Sequence, residues 1–199
     1  PNDRTHDFLY ATVCFALKKF HTSWEYYESR WSRDSGTNRY KKKPPFSKPE
    51  WNPELGYKSI LIWAEQGIGD QILHGTIVDD FSKKFEKTYL SVDPRLVEIF
   101  KKAFPNITIL SLFDEINQDF FDYHITLTSI GRYSRTKLED FLPLKSYFNY
   151  PKKEVQTYGN KKLKCAISWK SIAGVHSVLK SSSLISLSKI LKLEQIDFF

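Results

Sequence analysis

The spacing of hydrophobic residues predicts two helices at the start of the chain. Between residues 7 and 33, apolar side chains recur at steps of three and four, the period of one face of a helix. The stretch "FHTS" (20–23) interrupts this period, and Thr22 or Ser23 can cap the second helix. The pattern predicts a helical hairpin over residues 1–33, of the kind that ends a helical repeat array. We expect its aromatic stripe to pack between repeat helices: Trp24, Tyr27 and Trp31.

Residues 34–56 follow neither a helical nor a strand period. Four prolines, two glycines and a lysine run are typical of a connector between folded parts. Two aromatic residues lie within it, Phe46 and Trp51. We expect these side chains to hold the connector against a protein surface.

Residues 57–150 alternate between short apolar runs and amphipathic helices. Continuous apolar runs are typical of parallel strands covered on both faces. They are "KSILIWA", "TYLSVD", "ITILSL" and "FDYHITLTSI". The alternation predicts an α/β domain with a Rossmann-like, doubly wound parallel sheet. In residues 151–199 a lysine-rich stretch precedes "CAISWK", "LISLSKILKL" and "QIDFF", which predicts the start of a second α/β domain, cut off after its second strand.

The net charge of +7 favours an anionic partner, such as nucleic acid, a membrane surface or a phosphorylated small molecule. The basic residues, however, concentrate in "RYKKK" (39–43) and after Tyr150, and neither cluster forms a helix-long stripe. No nucleic-acid-binding motif accompanies them. We therefore expect no nucleic-acid partner, and a nucleic-acid binder would require the two clusters to form one continuous face.

The cysteine and histidine residues predict neither a disulfide nor a metal site. Cys14 and Cys165 are isolated and the five histidines are scattered, which fits a reducing, cytoplasmic location. No run of eighteen apolar residues and no signal peptide occurs, so we expect no transmembrane segment. The chain begins with Pro and ends in an apolar, strand-like run. We expect it to be a piece of a longer protein.

The stretch "EQGIGD" (65–70) follows the first predicted strand, where open parallel sheets bind ligands. Gly67 and Gly69 permit positive φ angles and a close approach of a ligand to the backbone. A helix starting at Asp70 would point free N–H groups at this place, and the Asp70 carboxylate can accept a proton or bind a sugar hydroxyl. Alternatively, Asp70 caps the helix and the glycines only shape the turn; the two roles are compatible. The spacing matches neither a dinucleotide-binding nor a P-loop motif.

Other polar residues around this turn are further candidates for ligand binding. Glu65 and Gln66 precede the turn and can line a pocket. His74 lies one helical turn after Asp70 and can face the same cleft, although a packed or surface histidine is the alternative. His124 lies within a predicted strand, and we expect its role to be structural.

Several stretches together resemble bacterial tetratricopeptide-repeat proteins that carry a glycosyltransferase family 9, heptosyltransferase-like domain. They are "WEYYESRW", "PEWNPELGYKSILIWAEQGIGDQILHGTIV", "FDYHITLTSI" and "CAISWK", and the resemblance runs from about residue 7 to residue 192. It implies a GT-B architecture, in which two Rossmann-like domains flank the active cleft. It also implies that the first domain binds the acceptor, the second binds the nucleotide sugar, and no metal or other cofactor is needed.

The resemblance also implies roles for individual residues. Asp70 matches the general base that deprotonates an acceptor hydroxyl, and Gly67 and Gly69 match the glycines of the turn. The residues implied to face the donor phosphates are Ser168, Trp169, Lys170, Lys180 and Ser182. The sequence departs from the family in "SIGRYSR" (129–135), where Ser-Leu-Pro is frequent, and it stops before the donor pocket would be complete. We therefore expect the isolated chain to be inactive even if the whole protein is an enzyme.

Two hypotheses of function follow. In the first, the protein transfers a sugar from a nucleotide-sugar donor to a hydroxyl of a glycan, lipid-linked or protein acceptor. In the second, it is a non-catalytic interaction protein, whose tetratricopeptide-like repeats bind a protein partner while the α/β domain is a degenerate scaffold. Asp70 discriminates between them. A carboxylate that faces an open cleft favours the enzyme, and one engaged in capping favours the scaffold.

Overall fold

A computed structural model describes residues 4–32, 43, 46–141, 146–148, 162–171 and 177–199. The chain divides into two compact units, residues 1–150 and 151–199. Among the described residues, no helix combines the length and the apolar composition that a membrane span requires.

The first unit contains a parallel sheet of four strands in the order β3–β2–β1–β4. The strands are β1 (Ser59–Trp63), β2 (Lys87–Val92), β3 (Thr108–Ser111) and β4 (Tyr123–Thr126). In the register of the sheet, Ile62 of the central strand pairs with Leu90 on one side and with Ile125 on the other. The predicted α/β class with a parallel sheet is confirmed.

The two faces of the sheet are covered in different ways. Ile60 and Ile62 point into the main core, together with side chains of α3 (Ile68–Ser82) and α4 (Val97–Ala103). Leu61 and Trp63 point to the opposite face, where Phe46, Ile116 and Phe121 pack. In the described part of the chain, irregular and 3₁₀ segments cover this second face. The expectation of a doubly wound sheet with helices on both faces is therefore wrong in this respect, because the β3–β4 connection contains only the short 3₁₀ helix Gln118–Phe120.

The helical hairpin consists of α1 (Thr5–Ala16) and α2 (Phe20–Tyr27), followed by the 3₁₀ helix Glu28–Ser32. The predicted break at "FHTS" is wrong, because these residues form the first turn of α2. Helix α1 instead ends where Lys18 adopts a φ of 59°, in the left-handed region. The Ser23 hydroxyl donates to the Lys19 carbonyl at 2.7 Å, so it does not cap the helix N-terminus.

The aromatic stripe of the hairpin divides between two environments. The Phe15 ring packs edge-on against Trp24 and Tyr27, at centroid distances of 4.8 and 5.7 Å. Trp31 lies beyond α2 and packs on Trp63 of the sheet, at 5.7 Å. The expectation that all three aromatic residues pack between the helices therefore fails for Trp31, because the chain tightens into a 3₁₀ helix after Tyr27 and the side chain turns towards the sheet.

The connector is bound to the edge of the sheet, as expected from its aromatic residues. Glu50 forms a parallel β-bridge with His124, and the Trp51 N–H donates to the His124 carbonyl at 2.8 Å. The Trp51 side chain is buried in the main core, and the Phe46 ring packs on Phe121. Of "RYKKK", only Lys43 lies within the described residues.

The second unit contains two parallel strands, β5 (Leu163–Cys165) and β6 (Ile196–Phe198), and the short helix α5 (Ser188–Leu191). The strand predicted over "CAISWK" is wrong in its extent, because strand pairing ends at Cys165. Ser168, Trp169 and Lys170 therefore follow the strand as irregular backbone. The predicted helix "LISLSKILKL" is reduced to a single turn, since 3₁₀-like turns hold its first residues.

Candidate functional site

The turn after β1 differs from the prediction in two ways. Helix α3 begins at Ile68, and the N-cap is Gly67, with φ −62° and ψ 167°. Asp70 therefore lies within the first turn, and the prediction that it opens or caps the helix is wrong. Among the described glycines only Gly56 has a positive φ, so Gly67 and Gly69 do not supply the predicted backbone freedom. Any residue can adopt the extended backbone of Gly67. At Gly69, an added Cβ would meet no atom within 4 Å.

Gln71 fixes this turn from inside the protein. Its side chain is 1% exposed; its amide nitrogen donates to the Gln66 carbonyl at 2.8 Å, and its amide oxygen accepts from the Asp93 N–H at 2.9 Å. The turn after β1 is thereby joined to the end of β2. Gln71 was not predicted as part of the site, although a polar residue on the buried face of an amphipathic helix is a usable signal.

Asp70 lines a cavity of about 340 Å³ between the helical hairpin and α3. The cavity walls are mostly aromatic and aliphatic. They are formed by Phe15, Phe20, Trp24, Tyr27, Asp70, Leu73, His74, Thr76, Ile77, Arg135 and Phe141. Among the described residues no N–H or O–H group donates to the Asp70 side chain, which is exposed at the start of α3. Its carboxylate is thus open to a ligand.

The aromatic wall of the cavity is held in place by contacts with the α/β part. The Trp24 indole N–H donates to the Arg135 carbonyl at 2.7 Å, and Phe20 packs on Phe141 at a centroid distance of 4.5 Å. The Trp24 ring lies directly against Gly131, where a Cβ would overlap it. Gly131 belongs to "SIGRYSR" (129–135), and its lack of a side chain leaves room for the Trp24 ring.

His74 contributes an uncharged group to the cavity. Burial, helped by the positive charge of Arg30, lowers the pKa of His74 to about 4. Its ring lies 6.2 Å from the Trp24 ring, centroid to centroid. At neutral pH the imidazole can therefore donate or accept one hydrogen bond beside Asp70 without attracting an anion.

A second polar group lies where the carboxyl ends of β1 and β4 meet. The order in which successive strands are added to the sheet reverses between β1 and β4. Open α/β sheets usually bind ligands in the crevice at such a point. Arg30 of the hairpin occupies it with 4% of its surface exposed. Its Nη2 donates to Glu65 at 3.2 Å, to Thr126 at 2.9 Å and to Ser129 at 2.7 Å, and its Nη1 donates to Glu28 at 2.7 Å.

This group, the Arg30 cluster (Glu28, Arg30, Glu65, Thr126, Thr128 and Ser129), places one cation between two carboxylates. Burial raises the pKa of Glu65 to about 7, although Arg30 opposes the shift. Burial alone would also raise the pKa of Glu28, but the charge and hydrogen bonds of Arg30 hold it below its usual value. Thr128 donates to Glu65 Oε1, whereas Oε2 is buried without a hydrogen-bond partner in the described structure. Glu28 is thus the charged partner of Arg30, and Glu65 readily takes up a proton.

The predicted ligand-binding residues lie in three different places. Asp70 and His74 meet at the cavity, whereas Gln66, Gly67 and Gly69 form the turn beside it. Glu65, predicted to line a pocket, is 3% exposed and belongs to the Arg30 cluster. His124 is buried in β4 and accepts from the Trp63 indole N–H at 3.3 Å, in agreement with a structural role.

The residues implied to contact donor phosphates all lie in the second unit. Ser168, Lys170, Lys180 and Ser182 are exposed. The Ser182 N–H donates to the Trp169 carbonyl at 2.8 Å, and the Ser171 N–H donates to the Ser181 hydroxyl oxygen at 2.9 Å. The structure therefore brings the predicted residues 168–170 next to the segment that contains Lys180 and Ser182.

Arg30 was not predicted as part of a site, and Tyr27 was predicted only as a core residue. The Arg30 guanidinium stacks on the Tyr27 ring with its Cζ 4.9 Å from the ring centroid, and Tyr27 in turn lines the cavity. A charged residue within the aromatic stretch "WEYYESRW" was the available signal, because a charge among large apolar side chains requires a buried partner.

No family model matches the chain, and no solved structure matches it. Protein FlbA from Caulobacter vibrioides is 30% identical to this chain over 108 residues, which cover 51% of the chain and 17% of that protein. The chain is thus similar to a small part of a much longer bacterial protein.

Proposed function

We propose that this chain is part of a glycosyltransferase that transfers a sugar from a nucleotide-sugar donor to an acceptor hydroxyl, with Asp70 as the general base. The observation that carries the proposal is the Asp70 carboxylate, which lies beyond the carboxyl end of β1, has no capping partner among the described residues and lines the cavity. The resemblance of "WAEQGIGD" and "FDYH" to tetratricopeptide-repeat proteins with a family 9 domain points to the same chemistry.

Asp70 suits the role of general base better than its neighbours. Glu65 is buried and hydrogen-bonded to Arg30 and Thr128, so an acceptor cannot reach it. His74, with its pKa lowered to about 4 by burial, is a weak base. An exposed carboxylate beside a mostly apolar cavity can take the proton of an acceptor hydroxyl once the ligand excludes water.

The proposed reaction is a single displacement. The acceptor oxygen attacks the anomeric carbon of the donor sugar while Asp70 takes the hydroxyl proton. The bond between that carbon and the phosphate oxygen breaks, and the nucleoside diphosphate leaves with the electron pair. We propose that hydroxyl and lysine groups stabilise this leaving group without a metal, and the candidates are Ser168, Lys170, Lys180 and Ser182.

A different observation favours a non-catalytic interaction protein. Helix α1 and its C-terminal cap residue expose four large apolar side chains: Leu9 (54%), Tyr10 (49%) and Val13 (55%) in the helix, and Leu17 (61%) at the cap. Exposed apolar side chains at helical spacing are typical of a helix that packs against a neighbour in a repeat array. This second candidate assigns the hairpin to binding a protein and leaves Asp70 without a chemical role.

The experiment that tests the proposed function is a thermal-shift titration with nucleoside diphosphates and nucleotide sugars. It uses this chain and a form extended at its C-terminus. A ligand that binds only the native state raises the melting temperature. A rise in the extended form alone supports a nucleotide-sugar enzyme whose donor pocket is completed outside this chain. No rise in either form favours the interaction protein.

A further inference from the structure

We propose that the cavity beside Asp70 binds an uncharged, hydroxyl-bearing group with an apolar face, such as a neutral sugar ring, and excludes phosphorylated ligands. This inference rests on the proposed function and names the class of its acceptor. It also makes the helical hairpin a wall of the binding site.

The charges around the cavity disfavour an anion. Asp70 contributes a carboxylate. The Arg135 guanidinium, a cation of the lining, is already engaged, because it donates to Asp80 at 3.1 Å and to the Ser134 carbonyl at 2.8 Å. His74 is neutral because burial lowers its pKa to about 4. A phosphate that entered would face a carboxylate without an unpaired cation among the described lining residues, and the loss of its hydration would not be compensated.

The shape and chemistry of the walls suit a sugar ring. Five aromatic side chains line the cavity, namely Phe15, Phe20, Trp24, Tyr27 and Phe141. A pyranose presents C–H groups on one face and hydroxyls around its rim, so its face can pack on an aromatic ring while a hydroxyl reaches Asp70 or His74. Ligand sites of this kind are mostly apolar and contain a few placed polar groups.

The hairpin wall is positioned before any ligand binds. Tyr27 is held by the Arg30 guanidinium, which is itself hydrogen-bonded to both the β1 and β4 ends of the sheet. Trp24 is held by its hydrogen bond to the Arg135 carbonyl. Side chains that are already fixed lose little conformational entropy when a ligand binds. A neutral ligand, which forms no ion pair, can therefore still bind.

The test measures tryptophan fluorescence of this chain during titration with methyl and phenyl hexopyranosides and with the corresponding 6-phosphates. Because Trp24 lines the cavity, we expect neutral glycosides to change the fluorescence and the phosphates to bind at least about tenfold more weakly. Trp24→Phe should abolish the signal, whereas Trp31→Phe should retain it, because Trp31 packs on Trp63 and does not line the cavity. Asp70→Lys should remove or reverse the preference for neutral ligands.

Equal or tighter binding of the phosphates by the unaltered chain would overturn the inference, and so would the absence of any glycoside response at millimolar concentrations. The outcome is separate from that of the proposed function, because this binding needs no donor. Sugar transfer to a phosphorylated acceptor would keep the proposed function and contradict this inference. Glycoside binding by a full-length protein that binds no nucleotide sugar would support this inference and contradict the proposed function.

Discussion

Arg30 of the helical hairpin donates a hydrogen bond of 3.2 Å to Glu65, which follows the central strand of the sheet. The two residues are 35 positions apart, and both are almost completely buried. Glu28 lies on the same guanidinium at 2.7 Å, so one cation stands between two carboxylates. The attachment of the hairpin to the sheet, and with it the wall of the cavity, therefore depends on this buried group of charges.

Removing the Arg30 guanidinium should destabilise the first unit strongly. Arg30→Ala leaves both carboxylates without their cation, and breaking a buried ion pair in this way costs about 3–5 kcal/mol. Arg30→Lys should restore only part of the loss, because an ammonium group lacks the planar fork that reaches several acceptors at once. Urea unfolding followed by tryptophan fluorescence measures the effect, and Arg132→Ala, at an exposed arginine nearby, is the control. Similar stabilities of the Arg30→Ala and Arg132→Ala proteins would contradict the assigned role.

Glu65 should make the folded state less stable as the pH rises. Burial raises its pKa to about 7 from the ordinary 4.5, so between these values the folded protein keeps a proton that the unfolded chain has lost. The contribution to stability is complete below pH 4.5 and is lost as the pH rises to about 7. The shift corresponds to about 3 kcal/mol. The stability difference between the unaltered protein and Glu65→Gln should change by this amount across the window, and a constant difference would contradict the pKa assignment.

His74 should have the opposite effect in nearly the same pH range. Burial lowers its pKa to about 4 from 6.5, so its contribution is complete above pH 6.5 and is lost as the pH falls towards 4. The two residues therefore oppose each other between about pH 4.5 and 6.5. Replacing either residue should reveal the pH dependence that the other one contributes. The free energy of unfolding of His74→Gln should fall as the pH rises, and that of Glu65→Gln should increase. Unfolding curves at half-unit pH steps provide the measurement, and parallel pH profiles of the two variants would exclude the opposition.

The contrast between β1 and the Arg30 cluster shows what the sequence could predict. The run "KSILIWA" predicts a buried strand because its own residues are apolar, and Ser59–Trp63 forms it. The contact between Arg30 and Glu65 depends instead on how the hairpin docks, which no local pattern contains. The error at Asp70 has another cause. The preference of aspartate for the N-cap was outweighed by Gly67, whose extended backbone starts the helix three residues earlier.

Gly131→Ala should disturb the cavity wall. The added methyl group would overlap the Trp24 ring, which also packs against Phe15 and is held by the hydrogen bond to the Arg135 carbonyl. We expect a loss of about 1–3 kcal/mol and a change in tryptophan fluorescence. Gly69→Ala is the matched control, because its Cβ meets no atom within 4 Å and alanine favours a helix. Equal stability of the two variants would show that Trp24 does not pack on this glycine.

Asp70→Asn tests the chemical role of the carboxylate without a large change of shape. The side chain keeps its size and its place in the first turn of α3 but can no longer accept a proton. In the full-length protein, sugar transfer should fall by roughly two to four orders of magnitude, whereas the melting temperature should hardly change because Asp70 has no described hydrogen-bond partner to lose. Asp79→Asn is the control, since Asp79 is an exposed aspartate of the same helix, 2.6 Å from Lys83. If Asp70→Asn and Asp79→Asn transfer sugar equally fast, Asp70 is not the base. In that case the free carboxylate serves only to bind ligands.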